Sequence, residues 1–302
     1  MKPVTLLVMA AGMGSRYGGD KQTDAFGPGG ETLMEYSIHD AKQAGFSKVV
    51  FVIRRSMEKT FRETVGRRVQ RFMDVDYAFQ EYDSLPEGFV PPRDRTKPYG
   101  TVHAVQCAEC VIHEPFGVIN ADDYYGPGAY QAMADYLLAH GEEERACAMV
   151  AYELRNTLSP HGTVTRGICE SDGQGHLVSV KETYAIARDA DGRVRDRAGE
   201  GDGTLLREDA PVSMNFWGFG PWFFAEARES LREFLLTPGK DPMKCEYVLP
   251  TLVDTWMREK HLRVSMLSTP SVWFGVTYRE DRDYVRGELK KLHEAGIYPP
   301  TL

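Results

Sequence analysis

Residues 4–22 read VTLLVMAAGMGSRYGGDKQ, and this stretch decides the fold class. Its first six residues form a continuous apolar run, which is typical of a strand buried on both faces of a sheet. A glycine-rich segment that carries Arg16 and Lys21 follows directly. The loop after the first strand of an α/β fold is where bare backbone N–H groups can approach phosphate oxygens. The stretch therefore predicts an α/β fold with a phosphate site at the end of its first strand.

The segments after this loop alternate between helical and strand patterns. Residues 32–44 have one apolar helical face, and short apolar runs follow at 49–53 and 75–79. Strand-helix-strand alternation predicts a parallel sheet with helices on both faces. From about residue 151 the pattern becomes β-rich, and residues 188–209 are almost entirely polar, so we predict a mobile surface insertion there.

Composition restricts the class of protein. The 302 residues carry a formal charge of −8 and are 42% apolar, which is ordinary for a globular chain and argues against a nucleic-acid-binding surface. No apolar stretch is long enough to span a bilayer, and the first residues lack a signal-peptide layout. Five scattered cysteines are expected to be reduced thiols, and the single CxxC at Cys107 and Cys110 does not predict a zinc site. We therefore expect a cytoplasmic protein with small-molecule substrates and no membrane or nucleic-acid partner.

The first loop fits neither of two common phosphate-binding motifs. It lacks the Gly-Lys-Ser/Thr of a P-loop, and Tyr17 replaces the third glycine of a dinucleotide fingerprint. The cations add weight to another interpretation, because a guanidinium and an ammonium beside a backbone nest at Gly12 and Gly14 are suited to a triphosphate. A tight glycine turn with two solvated cations is the structural alternative.

This first loop resembles that of the sugar-phosphate nucleotidyltransferase family, which reads roughly GxGxR followed by a lysine. Later segments resemble further family motifs in the expected order, and the resemblance spans residues 4 to about 295. These segments are Gly100-Thr101, Asn120-Ala121-Asp122-Asp123, Gly162-Thr163-Val164, Val180-Lys181-Glu182, Glu246-Tyr247-Val248-Leu249-Pro250 and Trp273-Phe274-Gly275-Val276-Thr277.

The resemblance implies a fold and an activity. The fold is a three-layer α/β/α sandwich with a mostly parallel mixed sheet, similar to the A-type glycosyltransferases. It would form a single domain over residues 1–302, with a nucleotide-binding half at 1–150 and a sugar-phosphate half at 151–302. The implied reaction joins a nucleoside triphosphate, with UTP favoured, to a sugar 1-phosphate and releases pyrophosphate with the help of Mg²⁺.

The resemblance also implies roles for residues on the nucleotide side. Arg16 and Lys21 would neutralise the phosphates, and Asp122 would hold the magnesium ion. Backbone and side-chain contacts to the nucleotide would come from Ala11, Gly12, Gly14, Gly100 and Thr101.

The metal ligand requires a choice between two neighbouring carboxylates. Successive residues of a strand point to opposite sides, so Asp122 and Asp123 are not expected to bind one ion equally, and the resemblance favours Asp122. Some relatives supply a second ligand from the last motif as Asp or Asn, whereas this chain has Gly275 and Thr277 there. Thr277 is therefore the candidate second ligand, although a hydroxyl binds a cation less well than a carboxylate.

On the acceptor side, the resemblance implies that Gly162, Lys181 and Glu182 hold the sugar phosphate. Since adjacent strand residues face opposite ways, one of Lys181 and Glu182 would serve unless the strand bulges there. Asn215 is a polar amide in an apolar strand, so it either contacts a sugar hydroxyl or makes a hydrogen bond in the core.

Three other functions remain as alternatives. A cytidylyltransferase acting on a non-sugar phosphate, such as an amino-alcohol phosphate, would use the same first loop. An NADP-binding oxidoreductase would use Arg54 and Arg55 for the 2′-phosphate. A nucleotide sensor without catalysis would bind UTP tightly and release no pyrophosphate. The sequence predicts no particular sugar or oligomeric state.

Overall fold

The computed structural model describes residues 2–12, 25–159, 162–197, 203–237, 241–276 and 281–302. Its strands are β1 Thr5–Met9, β2 Lys48–Ile53, β3 Asp74–Phe79, β4 Phe116–Asn120, β5 Asp123–Tyr124, β6 Cys147–Glu153, β7 Val164–Ser171, β8 Leu177–Arg188, β9 Val194–Asp196, β10 Pro211–Phe219, β11 Ser265–Ser268 and β12 Phe274–Gly275. Its α-helices are α1 Leu33–Ala44, α2 Glu58–Phe61, α3 Arg67–Val69, α4 Thr101–Gln106, α5 Pro127–His140, α6 Phe223–Leu236, α7 Leu249–Glu259 and α8 Asp281–Glu294. None of the helices within these ranges combines the length and the apolar character needed to cross a membrane.

One large mixed sheet organises the molecule. Its strands lie in the order β3-β2-β1-β4-β10-β7-β8-β9, with β6 paired to β10 and β11 paired to β6. Strands β3, β2, β1 and β4 run parallel to one another. Strand β10 is antiparallel to β4, β6 and β7. The predicted three-layer α/β sandwich with a mostly parallel mixed sheet is confirmed.

The opening strand is buried on both faces, as its apolar run predicts. Leu6 and Val8 belong to the core that packs under α1 and α5, while Leu7 belongs to the core under α4, α6 and α7. All three side chains are fully buried. Because alternate residues of a strand face opposite sides, a run without polar residues suits a strand that lies between two helical layers.

The polar segment 188–209, which the sequence predicts to be a mobile surface insertion, contains a short strand in its described part. Strand β9 pairs antiparallel with the end of β8. The charges that suggested a mobile segment pair with one another: Arg188 binds Glu208 through both terminal nitrogens at 2.7 and 2.8 Å. Val194 is buried in the core at 1% exposure. Ion pairs and one buried apolar side chain therefore tie the described part of this polar segment to the rest of the fold.

Candidate functional site

A cavity of about 290 Å³ lies where β4 ends, between the two halves of the chain. What we call the first wall comes from α4, the end of β4, β5 and the start of α7, and consists of Thr101, Asn120, Asp123, Val248 and Pro250. What we call the second wall comes from β7, β8 and β10, and consists of Thr165, Arg166, Gly167, Val180, Glu182, Ser213, Met214 and Asn215. The cavity therefore combines residues from the region predicted to bind nucleotide with residues from the region predicted to bind the acceptor.

A close main-chain contact at Gly100 lies at the edge of the first wall, next to Thr101. Gly100 has a φ of 94°, and a Cβ at this position would lie 2.6 Å from the carbonyl oxygen of Tyr247. The Tyr247 N–H donates to the Tyr99 carbonyl at 2.8 Å, and the Val102 N–H donates to the Tyr247 carbonyl at 3.0 Å. Both the dihedral angle and the contact require glycine here. Two motifs about 150 positions apart in sequence are thereby joined at one edge of the cavity.

Thr101 completes this junction. Its hydroxyl accepts a hydrogen bond at 2.8 Å from the backbone N–H of Leu249, the first residue of α7. The side chain is partly exposed and lines the cavity. Helix α7 begins at Leu249, and the residue before it, Val248, is extended.

A buried arginine holds residues 83–99, a proline-rich segment, against this wall. Arg95 is 1% exposed and donates to the carbonyls of Lys97, Pro98, Pro242 and Cys245 at 2.6 to 3.0 Å. Its guanidinium lies 3.6 Å from the centre of the Tyr99 ring. Because Arg95 satisfies four carbonyls at once, it fixes the segment before Gly100 to the segment before Tyr247. The sequence alone does not mark this residue, because nothing local distinguishes it from a surface arginine.

A chain of side-chain hydrogen bonds crosses the base of the cavity. The Asn215 amide donates to Asn120 Oδ1 at 2.9 Å and accepts from the Trp217 indole at 3.0 Å. The Asn120 amide donates in turn to Asp123 Oδ2 at 2.8 Å. Asn215 therefore makes hydrogen bonds in the core, which is one of the two roles expected for it. It also lines the cavity, so a contact with a substrate hydroxyl stays possible.

Strand β10 is distorted where it meets the cavity. Its pairing register with β6 shifts between Ser213 and Trp217, and Asn215 has a φ of 64°. Asparagine tolerates this left-handed conformation better than most residues, and bulges of this kind re-aim side chains. The distortion turns Met214 and Asn215 towards the space between the walls.

The two candidate metal ligands have different surroundings. Asp122 lies in the turn between β4 and β5, is partly exposed and is not among the residues that line the cavity. Asp123 is 9% exposed and lines it, and its Oδ2 accepts from Asn120 and, at 3.3 Å, from the Tyr125 hydroxyl. Strand β12 brings Gly275 opposite Asp123, and a Cβ on Gly275 would lie 2.6 Å from Asp123 Oδ1.

These oxygens fit a magnesium ion that is shared with substrate. Within the described residues, no three His, Cys, Asp or Glu side chains are grouped so that they could hold a metal alone. Mg²⁺ is commonly held by one or two carboxylates together with substrate phosphates and waters. Asp122, with Asp123 beside it, offers that donor set next to the cavity.

Of the residues predicted to bind the acceptor phosphate, Glu182 lines the cavity, whereas Lys181 and Gly162 are not in its described lining. Glu182 lines the cavity, pairs with Gly167 across the sheet and is exposed. Lys181 is also exposed, but it lies outside the described lining of the cavity. The alternation of side chains along β8 accounts for this difference. Gly162 is exposed and has open space around it, and it too is outside that lining.

Arg166 is a cavity residue that sequence analysis missed. Its Nε donates to Thr157 Oγ1 at 3.2 Å, its Nη1 donates to the Thr165 carbonyl at 2.8 Å, and its Nη2 donates to the Thr157 carbonyl. The guanidinium lies 4.7 Å from the centre of the Trp273 ring. Burial lowers the pKa of Arg166 to about 10, and the charges of Asp123 and Glu182 oppose that shift. Arg166 is distant in sequence from the predicted metal ligands, so its place beside them could be recognised only once the strand pairing was known.

Several predicted site residues lie outside the described residues. They are Gly14, Arg16, Lys21 and Thr277. Ala11 and Gly12 are described at the end of β1, where the Ala11 carbonyl accepts from Arg54 Nε at 3.2 Å. Ala121, next to Asp122, donates its N–H to the Met9 carbonyl at 3.3 Å. The start of the first loop and the acidic turn therefore lie side by side.

Comparison with known proteins agrees with this arrangement. A family model described as the MobA-like NTP transferase domain matches residues 6–171, more than half of the 302-residue chain. No curated protein sequence gives a significant match.

Solved structures of similar fold cover almost the whole chain. A UDP-glucose pyrophosphorylase complexed with UDP-glucose has a TM-score of 0.60 at 16% identity, covering 96% of this chain and 99% of that one. The inositol-1-phosphate CTP transferase from T. maritima has a TM-score of 0.61 at 13% identity, covering 96% and 98%. A putative glucose-1-phosphate thymidylyltransferase from Bacillus anthracis, in complex with a sucrose, has a TM-score of 0.62 at 10% identity, covering 95% of each chain. At these identities the likeness shows the fold.

Proposed function

Because the chain belongs to the MobA-like NTP transferase domain family and is a nucleotidyltransferase, we propose that it joins a nucleoside triphosphate to a sugar 1-phosphate. The products are a nucleoside diphosphate sugar and pyrophosphate, and UTP is the favoured nucleotide. The observation that carries this proposal is the cavity between two chemically different walls, since the two substrates of such a reaction need adjacent sites. The whole chain would act as one domain, with residues 1–150 serving the nucleotide and 151–302 the acceptor.

The reaction requires positioning and charge stabilisation more than covalent catalysis. The acceptor phosphate is already an anion, so it can attack the α-phosphorus in line without a general base, and pyrophosphate leaves. Repulsion between the anions is the main obstacle. We assign Arg16, Lys21 and the backbone of Gly12 and Gly14 to the triphosphate and the departing pyrophosphate.

Asp122 would hold the magnesium ion, which neutralises phosphate charge when it is bound. Asp123 lies beside Asp122 and accepts hydrogen bonds from Asn120 and Tyr125, which restrain its carboxylate. Thr277 remains the proposed second ligand from the last motif. Gly100 and Thr101 would present the base with a rigid edge, because main-chain contacts to Tyr247 and Leu249 fix them.

The acceptor would lie against the second wall. Its polar groups include the Glu182 carboxylate, the Ser213 hydroxyl and the Asn215 amide, and they suit a ligand that carries several hydroxyls. The proposed roles of Gly162 and Lys181 in holding the acceptor are those implied by the family resemblance.

A second candidate is a cytidylyltransferase that acts on an alcohol phosphate. The fold likeness to an inositol-1-phosphate CTP transferase favours it. The shared chemistry is nucleotidyl transfer to a phosphomonoester, and the acceptor and base distinguish the two.

Both candidates can be tested with one matrix of substrates. UTP, CTP, dTTP, GTP and ATP are each combined with hexose 1-phosphates, inositol 1-phosphate and phosphocholine, and pyrophosphate release is measured with magnesium present. Activity with UTP and a hexose 1-phosphate supports the first candidate, whereas activity limited to CTP and a non-sugar phosphate supports the second. Tight nucleotide binding without pyrophosphate release in any combination would contradict both and support a nucleotide sensor.

A further inference from the structure

Arg166 is held rigidly at the second wall by contacts that leave part of its guanidinium open. The bonds to Thr157 and Thr165 use the Nε–H and one N–H on each terminal nitrogen. A guanidinium has five N–H groups. One N–H on Nη1 and one on Nη2 therefore have no protein acceptor among the described residues.

Among the described residues, the charge of Arg166 is also not matched by a direct ion pair. None of the carboxylates in the described ranges lies within 4.0 Å of it, although Asp123 and Glu182 are near enough to act on it through space. Arg188, by comparison, makes a direct ion pair with Glu208. A partly desolvated cation that lacks a contact partner and faces a cavity is suited to binding an anion.

The neighbours of Arg166 add to this electrostatic picture. The Trp273 ring supports the guanidinium face, and its buried indole N–H has no hydrogen-bond partner. Gly275, whose missing side chain leaves room for Asp123, also lies against the Trp273 ring. The cation is therefore placed close to the carboxylates at the end of β4, which would hold the metal ion and, with it, the triphosphate under the proposed function.

We propose that Arg166 binds the phosphate group of the acceptor and so performs the role that the family resemblance gives to Lys181. This inference rests on the proposed function. A planar guanidinium with two open N–H groups can bind two phosphate oxygens together, and its fixed position orients the third oxygen for attack. Lys181 lies outside the described lining of the cavity, so it is the less suitable cation for this role.

The inference is tested by steady-state kinetics on four purified variants. Arg166→Gln is expected to raise the KM for the phosphorylated acceptor about 10- to 100-fold, the cost of losing a hydrogen-bonded charge, and to leave the KM for the nucleotide within about twofold. Arg166→Lys keeps the charge and is expected to show an intermediate KM. Arg155→Gln is the matched control, because Arg155 lies in the turn that also contains Thr157 and is exposed and paired with Glu153. Lys181→Gln tests the rival assignment.

A binding measurement separates phosphate recognition from a purely structural role. Glucose 1-phosphate should protect the wild-type protein against thermal unfolding more than glucose does, and Arg166→Gln should remove that difference. A structural role alone would lower the melting temperature but keep both the difference and the acceptor KM. If Arg166→Gln does not fold, the same comparison with Arg166→Lys decides.

The outcomes distinguish this inference from the proposed function. If the wild-type protein releases no pyrophosphate with any phosphorylated acceptor, the proposed function fails. If the wild-type protein is active and Lys181→Gln, rather than Arg166→Gln, raises the acceptor KM, the assignment of Arg166 is overturned while the function stands.

Discussion

The two walls of the cavity are built by different means. The edge of the first wall beside Thr101 depends on main-chain contacts, in which Gly100 and Tyr247 approach too closely for any side chain between them. The second wall depends on side chains, with Arg166, Glu182 and Asn215 each turned towards the cavity by strand pairing or a bulge. The main-chain groups at the Gly100 edge of the first wall offer the same chemistry whatever their side chains are, whereas the second wall changes its chemistry with each substitution of a side chain. We infer that the first wall suits the nucleotide and that the second wall determines which acceptor binds.

The largest expected effect concerns the carboxylate next to the first wall. Asp122→Ala should lower kcat for pyrophosphate release by about two to three orders of magnitude, by analogy with the loss of one major electrostatic element. The exposed Asp135→Ala on α5 serves as the control. Near-normal turnover of Asp122→Ala in saturating magnesium would show that another residue holds the ion.

Gly100→Ala tests the main-chain construction of the first wall. A φ of 94° and the contact with Tyr247 should together lower the free energy of unfolding by about 2 to 4 kcal/mol and raise the KM for the nucleotide. Gly287→Ala is the matched control, because Gly287 lies in α8 with open space around it and alanine there should stabilise the helix by about 0.5–1 kcal/mol. Denaturant unfolding and nucleotide kinetics measure both variants. If Gly100→Ala changes neither the free energy of unfolding nor the nucleotide KM, the main-chain contacts do not build the first wall.

Asn215→Ala tests the base of the second wall. The indole of Trp217 and the amide oxygen of Asn120 lose their partner, so we expect a loss of about 2 kcal/mol in the free energy of unfolding and a higher acceptor KM. Asn215→Gly keeps the left-handed φ accessible and should be less destabilised than Asn215→Ala, which separates backbone strain from hydrogen bonding. Equal losses would mean that the conformation of Asn215 contributes little.

The smallest expected effect is at an exposed residue of the second wall. Glu182→Gln keeps the shape of the side chain and removes its charge, so the acceptor KM should rise by a factor of about 3 to 10 with the nucleotide KM unchanged. Initial rates at varied concentrations of each substrate measure the two constants. If only the nucleotide KM changes, Glu182 acts on the nucleotide rather than on the acceptor, and the proposed difference between the walls is contradicted.

Much of the fold could be predicted because its signals are local. The apolar run of β1, the helical face of α1 and the glycine-rich loop each lie within a few residues, and together they specify a three-layer α/β fold. The contacts in the described part of the segment 188–209 could not be predicted, because they depend on ion pairs such as Arg188 with Glu208 and on the burial of Val194. Composition alone does not distinguish paired charges from solvated ones.

The sequence by itself determined the class of protein and the order of its motifs, because the first loop and the acidic turn are each defined by a few neighbouring residues. Only the tertiary structure decided which side chains share the cavity. It placed Asp123, Glu182 and Arg166 in its lining and left Asp122 and Lys181 outside that described lining. The reason is geometric: strand alternation, one bulge in β10 and a side-chain-free position at Gly275 set where neighbouring residues point, and each depends on pairing between distant segments.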